Sequence, residues 1–337
     1  MVYVDHWGYS QVITIAAAVL SDLKALLSPD ILSLIVAQKL PWDSRAAIDF
    51  SEAIDWTFFG GALRDTPCQT ITAEEEAFLH QNTLSALKTL ASMGLTNISM
   101  PELLETLLPI PADPSFPKQA LGLQLVLDQA PRELLDGPLD DRWVYGYFGE
   151  LSVELAQQLQ ALPADQSPHS WARWKDDVSL DYFVWVRLWF MAPIVHHEAL
   201  AHQAIALTEE LRVLVESDCG GSVRDPYRDL PDEARWDLYG FPRMLKARQG
   251  PPKGDDGKSS VAAGCFWICA LLDVHYPILE KYGRYPYRNS VLGRASTLEE
   301  ESWLQKAVFF KPSAPEVVKR IREDVEARRW SPIGAEL

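Results

Sequence analysis

Three stretches of this 337-residue chain hold side chains able to do chemistry: LVLDQAPRELL at 125–135, PIVHHEALAHQ at 193–203 and KYGRYPYRNSVLGR at 281–294. In the first, Asp128, Gln129 and Arg132 stand among aliphatic residues, and Asp128 and Arg132 have the four-residue spacing of a helical ion pair. Pro131 lies between them; a proline there frees backbone carbonyls and bends the helix. Polar groups gathered at such a bend form either a structural clamp or one wall of a site.

The second stretch has the look of a metalloprotease helix but fails on spacing. That chemistry needs two histidines four apart, with a glutamate directly after the first. His197 and His202 are five apart, which turns them away from each other by about 140° on a helix. A zinc protease is excluded and no metal centre is expected. Glu198 and His202 are four apart, so one continuous helix would put them on one face. A carboxylate beside an imidazole orients the ring and raises its basicity, as general acid–base work requires. The same pair, if buried, would instead pin two helices together.

The third stretch carries Lys281, Arg284, Arg288, Arg294 and three tyrosines, with no acid, in a chain of net charge −16. Arg284 and Arg294 lie beside Gly and Pro turns and read as clamps for the last helices. Arg288 and Asn289, flanked by Tyr285 and Tyr287, read as ligand-facing. A fourth stretch, FVWVRLWFMAPIV at 183–195, places Trp185 and Trp189 four apart, with Arg187 interrupting an apolar wall. An unpaired buried arginine is costly, so Arg187 is either paired with an acid or aimed at a ligand. The candidate catalytic set is therefore Arg132, His196, His197, Glu198 and Arg288. Candidate substrate contacts are Asp128, Gln129, Trp185, Trp189, His202, Trp267, Tyr285, Tyr287 and Asn289.

These residues must be positioned by helices, because the periodicity is helical almost throughout. ITIAAAVLSDLKALL and ILSLIVAQKL put apolar residues at three-and-four spacing, with Ser28-Pro29-Asp30 as cap and first turn between them. A capping box at Thr72 opens a helix that runs to Gly94. Further helices are expected over 117–130, 141–161, 170–191, 194–215, 232–247, 261–282 and 297–308, and the tail APEVVKRIREDVEARRW reads as an amphipathic helix. No stretch alternates like a strand. The expectation is an all-α fold of antiparallel helix pairs, with no substantial sheet. Prolines 109, 111, 114 and 117 mark an extended linker, and QGPPKGDDGKSS at 249–260 a flexible loop. The expected organisation is an N-terminal helical extension over 1–48, a main domain over 49–310 and a C-terminal helix over 311–337.

Composition narrows the partners. The acidic balance excludes nucleic acid, which needs clustered Lys and Arg to displace counterions, and anionic membrane surfaces. No basic region precedes the apolar N-terminal run, and no uninterrupted apolar run is long enough for a span, so neither a secretory leader nor a membrane is expected. Cys68, Cys219, Cys265 and Cys269 form no zinc spacing and fit a reducing, cytoplasmic compartment. Twelve tryptophans point to aromatic-walled pockets or bulky core filling. Dinucleotide, Walker and nucleophile-elbow motifs are missing, so no cofactor is expected.

LVLDQAPRELLDG, PIVHHEALAHQ and EKYGRYPYRNSVLGRASTLEEESWL resemble, in the same order, the blocks LLLDQFPRN, LPxxHSEDLxxQ and RFGRFPHRNxxLGRxSTxEE of the domain of unknown function 924 family. The third match is the most specific, with Gly283, Arg284, Pro286, Arg288, Asn289, Leu292, Gly293, Arg294, Ser296, Thr297, Glu299 and Glu300 in place. WTFFGG at 56–61 is similar to the family's Trp-Phe-Gly element. His197 stands where the family has Ser, Ala199 where it has Asp, and Tyr287 where it has His. The resemblance covers roughly 50–310 and implies a helical fold similar to tetratricopeptide repeats, without assigning a reaction.

The chain is also similar overall to fungal proteins associated with tropolone–sesquiterpenoid pathways. These are credited with the hetero-Diels–Alder union of a tropolone quinone methide with a macrocyclic terpene. That likeness implies a cofactor-independent enzyme of specialised metabolism acting on a small, largely apolar, oxygenated substrate. A homodimer is among the expected assemblies. The rival expectations are a non-catalytic helical scaffold that binds a peptide or protein, and a metal-assisted hydrolase using Glu198, His202 and Asp128. The enzyme reading requires the three motif blocks to converge on one cavity walled by Trp and Tyr.

Overall fold

The computed structural model describes residues 18–60, 71–92, 99–307 and 313–337. The start of the first expected helix, Cys68, Gly94 and the end of the 297–308 helix lie outside them. Among the described residues the regular structure is helical, with no β-strand. The fold is all-α.

Local chemistry sets the helix starts. Ser28 caps Pro29–Lys39 by accepting from the Ile31 amide, with Pro29 in the first turn. Thr72 and Glu75 exchange the reciprocal bonds of a capping box ahead of Ala73–Ser92, as do Thr297 and Glu300 ahead of Leu298–Lys306. Each such cap satisfies amide groups that the helix itself leaves orphaned.

Three expected helices are each divided in two, and a fourth starts later than expected. The 170–191 expectation becomes Trp171–Trp174 and Leu180–His196, because Ser179 recaps the chain on the Tyr182 amide. The 194–215 expectation loses its first turns, and Ala201–Asp218 starts afresh. The 232–247 expectation splits into Asp232–Arg235 and Gly240–Ala247, and 261–282 into Val261–Asp273 and Tyr276–Tyr282, the latter with Pro277 in its first turn. The Pro-rich 109–117 segment is not an extended linker. Asp113 folds it into turns by accepting from Ser115, and Pro117 enters the helix Phe116–Asp128.

Leu180–His196 is the central element. It packs against Phe116–Asp128, Gly149–Gln160, Ala201–Asp218 and Val261–Asp273, and every residue from Tyr182 to Val195 is buried. A helix apolar on all sides belongs in the interior. Its one cation, Arg187, is paired: it donates to the His169 carbonyl at 2.9 Å and to Glu210 at 2.8 Å. A second buried network joins helices farther out, with Arg212 bonded to Asp225 at 2.5 Å and to Asp273 at 2.7 Å. Such a network resists loss of any one partner, which would strand a buried charge.

The segment before residue 60 is part of this core. Trp42 and Phe50 sandwich Trp185, with ring centroids at 4.9 and 5.7 Å. The 249–260 loop carries no helix, yet Ser259 is buried and donates its amide to Asp49, the cap of Phe50–Phe59. Val261–Tyr282 is long and apolar enough to cross a membrane, but 78 % of its window is buried inside the fold, so it serves here as core. Cys265 and Cys269 are buried free thiols.

Two glycines permit the closest helix approaches. A Cβ at Gly122 would sit 2.5 Å from the Leu32 carbonyl oxygen, and one at Gly264 would sit 2.1 Å from the Phe50 ring. We expect Gly122→Ala, which must move backbone of the Pro29–Lys39 helix, to lose about 1–3 kcal/mol of stability. Urea unfolding of the variant checks this; an unchanged midpoint would contradict the close packing.

Candidate functional site

Two helices end on the same spot. Asp128 is the last residue of Phe116–Asp128 and His196 the last of Leu180–His196. His196 Nδ1 lies 2.9 Å from Asp128 Oδ1. Gln129 donates to Asp128 Oδ2 at 2.5 Å, and Arg132 donates through Nε to the Asp128 carbonyl at 3.0 Å. The ladder breaks at Gln129, and a new short helix, Ala130–Leu134, carries Pro131 in its first turn. Arg132 Nη2 stands 3.5 Å from Asp128 Oδ1.

These contacts set the protonation states. Burial alone raises the Asp128 pKa, but its contacts with His196 and Arg132 outweigh that and hold it well below the usual carboxylate range. Burial and the Arg132 charge push His196 below its ordinary value, and Asp128 restores only part of the loss. Near neutral pH the imidazole is therefore neutral, with its Nδ1 proton donated to an ionised Asp128. That fixes the tautomer and leaves the Nε2 lone pair available as a base. Among the described residues nothing hydrogen-bonds His196 Nε2, and it is not enclosed by protein.

The basic and aromatic stretch at 281–294 explains why the helix stops at His196. Tyr285 Oη donates to the Val195 carbonyl at 2.6 Å and Arg288 Nη1 to the His196 carbonyl at 2.5 Å. Both satisfy carbonyls that a helix C-terminus leaves unpaired, and a cation there is favoured by the helix dipole. The chain then turns, and Glu198 accepts from Arg294 twice, at 2.6 and 2.8 Å, and from the Tyr285 amide at 2.9 Å. Burial would raise the Glu198 pKa, but the Arg294 bonds more than compensate and hold it low. Glu198 and His202 therefore do not share a helix face. His202 is exposed on the next helix, and the imidazole–carboxylate contact of this stretch is His196 with Asp128 instead.

Two cavities share Arg132 and His196 as a common wall. One, of about 350 Å³, is mostly apolar: Trp56, Phe58, Leu188, Trp189, Leu271 and Leu272 line it, with Gln129, His275 and a Lys39–Glu133 ion pair among its polar groups. The other, of about 320 Å³, has ionisable side chains in its wall: Glu150, His197, Glu198, Arg288 and Arg294, together with Tyr145. His197 Nε2 lies 3.3 Å from Glu150, whose pKa that bond lowers. The Tyr145 ring faces two guanidinium groups, Arg288 at 4.7 Å and Arg132 at 5.2 Å.

The arginines of the cassette have different tasks. Arg284 is held by Glu300 at 2.6 and 2.8 Å, and Arg294 by Glu198. Arg288 has no ion pair with a described residue; its guanidinium lies over Tyr145, Tyr285 and Tyr287. Four residues with sequence patterns of a ligand site are sealed away from both cavities. Trp185 lies in the aromatic stack, Trp267 donates to the Gln249 carbonyl, Tyr285 caps Val195, and Asn289 donates to Ser296. Tyr287 stacks on Tyr285 at 5.3 Å, behind Arg288. Conversely, Tyr145, Glu150, Trp56, Phe58 and His275 line the cavities without belonging to any stretch that spacing singles out as a site. Tyr145 comes from a π-helical turn, Trp143–Phe148, a widened geometry frequent at functional sites that period-based reading does not register.

The family model described as a bacterial protein of unknown function, DUF924, matches residues 110–307. The chain belongs to the DUF924 family. No curated protein and no solved structure matches it. The DUF924 segment contains Asp128, Arg132, His196, Glu198, Arg288 and Arg294, whereas Lys39, Trp56 and Phe58 of the apolar cavity lie before it. Among the described residues no group of three His, Cys, Asp or Glu side chains is arranged to hold a metal ion.

Because Arg132 opposes protonation of His196, Arg132→Leu should raise the His196 pKa, while in the unmodified protein His196 should titrate below an ordinary imidazole. Histidine NMR titration reads both. An unshifted His196 in the variant would show that Arg132 does not govern it.

Proposed function

We propose that this protein is an enzyme of specialised metabolism that joins or cyclises small, largely apolar, oxygenated molecules, with His196 and Asp128 as its acid–base pair. The supporting observation is the convergence of the three chemistry-bearing stretches on Arg132 and His196, where a cavity walled by aromatic and aliphatic side chains meets one rich in ionisable side chains. A non-catalytic scaffold needs no cavity behind its basic cassette.

The arrangement suits a two-partner reaction. The cavity walled by Trp56, Phe58 and Trp189 suits a hydrocarbon body; the cavity of Tyr145 and Arg288 suits an oxygenated partner. Holding two reactants in one relative orientation lowers a bimolecular barrier by about 7–11 kcal/mol. A hetero-Diels–Alder union of a tropolone quinone methide with a macrocyclic terpene is the specific reaction we propose. It forms one carbon–carbon and one carbon–oxygen bond and transfers no proton. His196 Nε2 would act before it, taking the proton of an acidic hydroxyl and returning it to a departing hydroxyl, so that water leaves and a heterodiene remains. Arg132 and Arg288 would donate to the heterodiene oxygen, where removing one donor typically costs about 10²–10³ in rate.

The test is product formation from a hydroxylated tropolone precursor and a macrocyclic terpene, followed by mass spectrometry. We expect His196→Ala to abolish turnover and Arg288→Gln to slow it by about 10²–10³, both with unchanged helicity, and His202→Ala to remain active. Equal rates in His196→Ala and the unmodified protein would overturn the assignment.

A further inference from the structure

His275 is 6 % exposed and belongs to neither the acid–base pair nor the basic cassette. It follows Val261–Asp273, at the turn into Tyr276–Tyr282. Its Nδ1 lies 3.0 Å from the Leu271 carbonyl and 3.2 Å from that of Leu272. A carbonyl only accepts, so the Nδ1 proton is donated there and the tautomer is fixed. Nε2 is then a lone-pair acceptor. Phe241 holds the ring in place, its centroid 3.9 Å away.

Nε2 has no hydrogen-bond partner among the described residues and is not enclosed by protein, and the ring forms part of the apolar cavity wall. Burial is the largest influence against a second proton, with His196 and Arg288 adding to it. The Leu271 and Leu272 carbonyls favour the proton but do not offset this, and the pKa is pushed down to about 3. The site is an acceptor with no competing donor form, set among Leu188, Trp189, Leu271 and Leu272 in a wall whose other polar groups include Gln129, Arg132 and His196. A ligand that fills the cavity without a donor leaves this acceptor covered and unpaired, which is costly, whereas a ligand donor placed against it satisfies it.

We propose that His275 is a fixed hydrogen-bond acceptor that selects, for the apolar cavity, a ligand carrying a hydroxyl group on its apolar body. The inference rests on the reading of that cavity as a substrate site, and it adds the chemical class: an alcohol or enol is taken in preference to the corresponding ketone or hydrocarbon. His275 is a positioning and specificity residue; His196 remains the base.

The experiment compares 2-adamantanol with 2-adamantanone, two probes of one shape that differ in having or lacking a donor. Isothermal titration calorimetry on the full chain should show the alcohol binding about three- to tenfold tighter than the ketone, the range of one neutral hydrogen bond. His275→Phe keeps a ring against Phe241 and removes the acceptor; it should bind both probes alike. Long-range nitrogen–proton NMR of the unmodified protein provides a readout that needs no variant. The His275 Nε2 resonance should shift on adding the alcohol and stay fixed with the ketone. Equal affinities, failure of both probes to bind, an alcohol preference that survives in His275→Phe, or a silent Nε2 resonance would each overturn the proposal. Alcohol-selective binding in a protein that turns nothing over would leave this inference standing and remove the catalytic reading.

Discussion

The hydrogen bond between Asp128 and His196 joins the C-terminal ends of two buried helices, and the site is arranged around keeping them there. Neither end is comfortable alone. A carboxylate at a helix C-terminus meets the negative end of the dipole, and the last carbonyls of a buried helix have no water to bond. The chain answers each need with its own segment. Arg132 and Gln129 hold Asp128, while Tyr285 and Arg288 occupy the carbonyls of Val195 and His196. With the backbone fixed, the imidazole has one orientation: Nδ1 to the acid, Nε2 outward. The pair is thus a product of how the helices terminate, and its electrostatics follow from the same neighbours.

That constraint clarifies the role of the basic cassette in an acidic protein. Most of its charge is structural: Arg284 is neutralised by Glu300 and Arg294 by Glu198, and Lys281 lies 2.6 Å from Glu299. Glu300 is correspondingly held down to about 2, first by its bond from Arg284. Arg288 alone among them is balanced by aromatic faces and a carbonyl, without an ion pair to a described carboxylate. A guanidinium kept in this way retains its charge for a ligand at less cost than breaking a salt bridge would impose.

Much of this was legible in the sequence, for identifiable reasons. Helix type followed from apolar periodicity, and the starts at Ser28 and Thr72 from capping chemistry. Asp128, Arg132, His196 and Arg288 stood out because polar groups in apolar or unusually basic surroundings need an explanation. The misread features concern where helices stop. The pairing of Glu198 with His202 assumed an unbroken helix, whereas contacts from the distant Tyr285, Arg288 and Arg294 hold the chain where it leaves the helix at His196. Trp185 and Asn289 carried the residue types of a ligand site but were consumed by long-range packing. His275 offered no spacing signal, since its partners are backbone carbonyls. The cavity wall from Trp56 and Phe58 lies before the DUF924 segment, so the part of the chain outside the family match shapes the apolar half of the site.

The central claim is that both cavities and the His196–Asp128 pair form one reactive centre. A crystal structure with the reaction product bound tests it most directly. The account predicts the apolar part of the product against Trp189 and Phe58, its oxygen near Arg132 or Arg288, and the newly formed bonds beside His196 Nε2. Product bound elsewhere on the protein, with both cavities filled only by solvent, would contradict it.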